Sequence, residues 1–109
     1  MASPSIASLE KLLGTPRDGA LLRFSLGMEH AKAGESPKAI EYFRAAVARD
    51  PGYSAAWRAL GKALEAAGED AAALAAYKDG VAAAEKKGDK QAGKEMTVFA
   101  RRIEKKLAG

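Results

Sequence analysis

The chain repeats itself at an interval of 34 residues, and that interval limits its fold more than any other property. Gly27 recurs as Gly61, Gly34 as Gly68, Ala39 as Ala73 and Phe43 as Tyr77, while Leu26 and Leu60 share the same offset. A fixed period of this size marks a supersecondary unit that cannot bury its apolar face alone and stacks on its neighbour instead. Such stacking produces an extended surface for binding more readily than a catalytic cleft.

Alanine, leucine, lysine, arginine and glutamate dominate the 109 residues, and β-branched residues are sparse, so propensity favours helix almost throughout. The expected fold is therefore all-α. Apolar spacing and breakers outline its helices. A short amphipathic stretch covers Ser5 to Leu13, with Ile6, Leu9, Leu12 and Leu13 on one side, and Gly14, Thr15 and Pro16 end it. Helices follow over residues 19–33, 36–49, 54–67, 70–86 and 89–107. Asp18, Ser36, Ser54 and Asp70 are the expected N-caps, and Gly34, Gly68 and Gly88 the expected stops. Within each 34-residue unit only about three residues join the two helices, which forces antiparallel hairpins.

Counted from Ala20 and from Ser54, the two units carry glycine at position 8, alanine at position 20 and an aromatic ring at position 24. Small residues at 8 and 20 are expected to let the paired helices approach closely, and the ring to fill the space beneath. Trp57 stands at position 4 of the second unit and Pro51 at position 32 of the first. At these residues the chain resembles the tetratricopeptide repeat family, whose pattern runs W-x2-L-G-x2-Y, then A-x3-F, an alanine and a proline. The first unit matches with Leu26, Gly27, His30 in the tyrosine slot, Ala39, Phe43, Ala46 and Pro51. The second matches with Trp57, Leu60, Gly61, Leu64, Ala73 and Tyr77. It departs from the pattern at Arg23, where a large apolar residue is usual, and at Gly80 and Glu85. The last helix carries Lys94 and Glu95 in place of the leucine–glycine pair, and so reads as a cap and not a third repeat.

The resemblance implies a short stack of antiparallel hairpins. An N-terminal helix and linker occupy residues 1–18, two repeats span 19–87 (20–53 and 54–87), and an amphipathic capping helix spans 88–109. Ala92, Met96, Phe99, Ile103 and Leu107 form the apolar face of that cap.

The family also forms a concave surface from the first helix of each hairpin. Carried over by position, the first unit supplies Leu21, Phe24, Met28, Ala31 and Lys32, and the second Ala55, Arg58, Lys62, Glu65 and Ala66. Leu21, Phe24 and Met28 form an apolar stripe, with Arg58 and Lys62 one turn apart beside it. Such a surface suits a peptide that sets an apolar anchor next to an acidic group or a C-terminal carboxylate. The alternative is that residues 5–13 cover the stripe. A chaperone-tail clamp, which the family builds with lysine and asparagine, is not expected in a chain that has no asparagine.

Charge and composition narrow the function further. The net charge is +4, but residues 86–109 hold eight Lys/Arg against three Asp/Glu, so the basicity belongs to the C-terminal segment alone. Its cations are interspersed with Glu95 and Glu104, and Phe99 belongs to the apolar face, which argues for a solvated outer face over a nucleic-acid site. One histidine, no cysteine and no glycine-rich phosphate loop leave no expected catalytic, cofactor or metal site, and no enzyme is expected. His30 is expected to be structural. The absence of cysteine, of a secretory leader and of an apolar run near ~20 residues points to a soluble cytoplasmic protein. The expected function is a protein–protein interaction module or adaptor; the alternatives are a homo-oligomer and, behind it, a nucleic-acid or acidic-surface binder.

Overall fold

The computed structural model describes the backbone from Pro4 to Gly109 and side chains from Ser5 onward; residues 1–3 of the segment assigned to 1–18 lie outside it. Among the described residues every regular element is an α-helix: α1 (Pro4–Glu10), α2 (Ala20–Lys32), α3 (Ser36–Arg49), α4 (Ser54–Ala66), α5 (Asp70–Lys87) and α6 (Lys90–Ala108). α2 packs along α3 and α4 along α5 as two antiparallel hairpins, α3 packs on α4, and α6 closes the stack against α5 and α4. The molecule measures 43 × 31 × 18 Å, and the shortest extent is about two helix diameters, as a double layer of helices requires. No helix among the described residues is long and apolar enough to cross a membrane.

The hairpin turns are set by glycine in the left-handed region, with φ of 76° at Gly34 and 77° at Gly68. That conformation lets the next amide reach back to the helix end. Glu35 N donates to His30 O at 2.9 Å, and Glu69 N to Leu64 O at 2.9 Å. The helix starts differ from the expected caps. Ser36, Ser54 and Asp70 are themselves the first helical residues, and the preceding Glu35, Tyr53 and Glu69 provide no side-chain cap. Asp18 is drawn elsewhere: it accepts from Gly14 N (3.0 Å) and from Arg23 Nε (3.0 Å) and Nη2 (2.8 Å). Among the described helix starts, Asp89 is the one that caps as its residue type suggests, accepting from Ala92 N at 3.2 Å.

One core runs from α3 through α6, around Phe43, Leu60, Leu64, Tyr77, Met96 and Ile103. A second, smaller cluster joins Ile6 of α1 to Leu22 and Leu26 of α2. The position-8 glycines do a more specific job than helix approach. A Cβ on Gly27 would stand 2.5 Å from Phe43 Cδ1, and one on Gly61 within 2.6 Å of Tyr77 Cδ1. Each glycine is the seat of the ring at position 24 of its own hairpin. Trp57, at position 4 of the second unit, is half-buried at the edge of this core, with its indole N–H donating to Pro51 O at 2.8 Å. The cap's apolar face is centred on Gly93, Met96, Ala100 and Ile103, while Leu107 is 52% exposed and falls outside it.

Candidate binding groove

Alanine-rich helices leave space where they face each other, and here that space is a groove of about 310 Å³ between α2 and α4. Phe24, Met28 and Ala31 line it from α2, and Ala55, Arg58, Ala59, Lys62, Ala63 and Ala66 from α4, with Ser36 and Phe43 at its margin. The α4 residues recur at three- and four-residue spacing, so one helix face supplies an apolar strip of methyl groups and two cations together. Phe24 is not free to swing. Its ring is tilted against Phe43 at 5.9 Å and Tyr53 at 5.0 Å, which fixes it as a wall of the groove.

The structure therefore brings Phe24, Met28, Ala31, Ala55, Arg58, Lys62 and Ala66 together and separates the other three expected residues, Leu21, Lys32 and Glu65, from them. Leu21 is 68% exposed and does not line the groove. Lys32 pairs with Glu29 at 3.2 Å and borders a shallower depression shared with Ser5, Ser8 and Leu9 of α1. Glu65 accepts a hydrogen bond from Tyr77 Oη at 2.5 Å and lies 3.9 Å from Arg102 Nη2. Burial, and after it the hydrogen bond to Glu65, pushes the Tyr77 hydroxyl well above the usual tyrosine range. Among the described side chains none of α1 lines this groove: Ile6 packs on Leu22 and Leu26 of α2, while Ser5, Ser8 and Leu9 border the shallower depression next to Phe24 and Met28.

α6 supplies neighbours that the position-by-position carry-over does not include. Arg58 Nε is 3.4 Å from Glu95 Oε2, is buried, and makes no hydrogen bond. Lys62 Nζ lies 4.8 Å from the centre of the Phe99 ring, and the Arg102 guanidinium carbon 5.2 Å from it. One signal for this was present in the register: Glu95 stands where the two repeats have Gly27 and Gly61, so a charged side chain projects from a place usually vacated. His30 is 5% exposed, stacks on Tyr42 with ring centres 5.4 Å apart, and holds Glu35 Oε1 at 2.8 Å from Nδ1. Among the described residues no group of three or more His, Asp or Glu side chains is placed to hold a metal ion.

The sequence profile of the tetratricopeptide repeat matches residues 24–88, more than half of the chain. The chain belongs to the tetratricopeptide repeat family. It is 49% identical over 100 residues to a TPR repeat-containing protein of Pseudomonas aeruginosa, a match that covers 92% of this chain and 95% of that one. Among solved structures, a protein from Bordetella parapertussis superposes with a TM-score of 0.81 at 41% identity, covering 99% of this chain and 93% of that one. A tetratricopeptide repeat domain protein from Salinibacter ruber superposes at 0.74 with 27% identity, over 82% and 89% of the two chains. Tetratricopeptide repeat proteins generally bind other proteins and do not catalyse reactions, so membership implies a protein–protein interaction module.

Proposed function

We propose that this tetratricopeptide repeat protein is an adaptor that holds a peptide segment of a partner protein in the groove between α2 and α4. The observation that carries this reading is the joint lining of one groove by the apolar Phe24 and Met28 and the cationic Arg58 and Lys62. The segment it suits bears one apolar anchor next to a carboxylate, either a side chain or a chain terminus. Burial of one anchor contributes roughly 1.5–3 kcal/mol, so the complex is transient and its charged contacts set orientation.

A fluorescence anisotropy titration tests it, with a short peptide carrying leucine beside two C-terminal aspartates and its amidated, asparagine-substituted control. Binding should be lost in the control and fall about tenfold in an Arg58→Gln/Lys62→Gln variant whose melting is unchanged. Equal binding of peptide and control, or indifference to the double substitution, would remove the groove from the account.

A further inference from the structure

The outer side of α6 carries a second surface, independent of the groove. Shifted by 34 residues, Lys90, Lys94, Thr97 and Val98 of α6 occupy the places of Ala56, Leu60, Ala63 and Leu64 of α4. Those four α4 residues are buried, and α5 is the helix that packs most extensively along α4. Nothing packs on α6 in the corresponding way among the described residues. A trough of about 590 Å³ is left between α5 and α6, with Val81, Ala84, Gly93, Thr97 and Val98 on its floor and sides. Val98 is 60% exposed.

Charge says what fits there. On the inner side of α6 the ionic groups are satisfied from α4 and α5: Glu95 by Arg58, Arg102 by Glu65, Glu104 by Lys78 at 3.3 Å, and Lys106 by Asp70 at 2.8 Å. Lys90, Lys94 and Arg101 border the trough, and among the described residues none forms an ion pair. Spacings of four and seven put them in one row along the helix. Two carboxylates face the trough, both near the α5–α6 turn: Asp89 is engaged in capping α6, and Glu85 lies one turn before it. The open length of the slot is thus apolar at its base and cationic along its α6 rim.

We propose that this slot receives an acidic amphipathic helix of a partner protein, lying antiparallel to α6 in the place where the second helix of a third repeat would pack. Its apolar side covers Val81, Thr97 and Val98, and its carboxylates face Lys94 and Arg101. A second copy is disfavoured as occupant, since pairing α6 with α6 would set like charges opposite each other.

The probe is an 18-residue peptide, stapled on its exposed side to hold it helical, with the buried register of α5 and glutamate at the flanking positions. Nuclear magnetic resonance titration of the full chain should shift Val81, Thr97 and Val98. Affinity should fall about tenfold or more on Lys94→Glu/Arg101→Glu, and also between about 50 and about 300 mM salt. It should persist in Arg58→Gln/Lys62→Gln, which separates this surface from the groove. Five results would overturn the proposal: no binding at millimolar peptide, equal binding of a lysine-flanked version, and shifts confined to the groove around Met28 and Ala59. The other two are Val98-dependent self-association that excludes the peptide, and capture of single-stranded RNA by the same cations that the acidic peptide fails to displace.

Discussion

Gly27 and Gly61 are the residues on which each hairpin's packing turns, because the ring at position 24 occupies the volume a Cβ would take. Gly61→Ala should therefore destabilise the protein by about 1–3 kcal/mol through overpacking against Tyr77, although alanine is the better helix former by about 1 kcal/mol. Urea unfolding measures the difference, and a neutral or stabilised variant would show that the ring yields easily. Gly80 follows the same logic one step along. A Cβ there would meet Met96 Sδ and stand 2.8 Å from Trp57 Cβ, whereas its equivalent Ala46 has Arg23 and Lys62 in the matching register positions. The departure from alanine in the second repeat thus leaves the volume that Met96 and Trp57 occupy. Tyr77 also links stability to pH. Its hydroxyl is held protonated by burial and by donation to Glu65, so the folded pKa lies above the unfolded value of about 10. A raised pKa on an acid contributes stability that is present below pH ~10 and lost as pH rises beyond it. Urea midpoints should fall from pH 8 to pH 11, and Tyr77→Phe should remove the largest part of that fall, the remainder coming from the upward shifts of Tyr42, Tyr53 and the Asp70-bonded Lys106.

At the scale of the element, the helix starts are held by different means than residue type alone suggests. Asp18 stabilises the entry to α2 by tying Arg23 to the turn after α1, and hydrogen bonding from Arg23, then from Gly14 N, holds its carboxyl well below the usual range. A depressed carboxyl contributes stability present above pH ~4 and lost as pH falls through the folded value. Wild type and Asp18→Asn should therefore melt apart at pH 7 and converge in strong acid; a constant gap would mean the pair acts through packing alone. The same pairing accounts for Arg23 at a position where the family prefers a large apolar residue: among the described residues it is the short α1 that packs beside α2 at this end, and Arg23 reaches Asp18 in the turn that follows α1. α6 shows its asymmetry equally clearly. Ile103→Ala should cost about 2–4 kcal/mol, while Leu107→Ala should stay within about 0.5 kcal/mol, because Ile103 is 2% exposed and Leu107 52%. Thermal melts of the two variants would expose a cap that docks along a different face.

For the whole molecule, stability belongs to neighbour contacts along a line, so the ends matter as much as the middle. The continuous core from α3 to α6 and the small cluster around Ile6 meet only through the first hairpin. Trp57 lies at the rim of the larger core, and its truncation should cost about 2 kcal/mol, less than the ~3–5 kcal/mol of a fully enclosed ring. Calorimetry of Trp57→Ala checks this, and a loss at the upper figure would place the indole deeper than its half-buried position implies. The exposed pairs that join α6 to α4 and α5 are worth at most about 1 kcal/mol each. Their larger consequence is directional: they neutralise the inner charges of α6 and leave the outer cations uncompensated.

The 34-residue offset was enough to determine the hairpins, the turn glycines, the ring positions and the need for a terminal helix, because each follows from local backbone preference or from equivalence between units. The resemblance to the family, carried over by position, placed Phe24, Met28, Arg58 and Lys62 on one side of two neighbouring helices. Equivalence does not say which way a side chain turns. Phe24 lies against Phe43 and Tyr53, Glu65 is taken by Tyr77, and Arg58 faces Glu95 of a helix 37 residues further along the chain. Those outcomes depend on side chains meeting across helices that share no register, and only the assembled stack brings them within reach of each other.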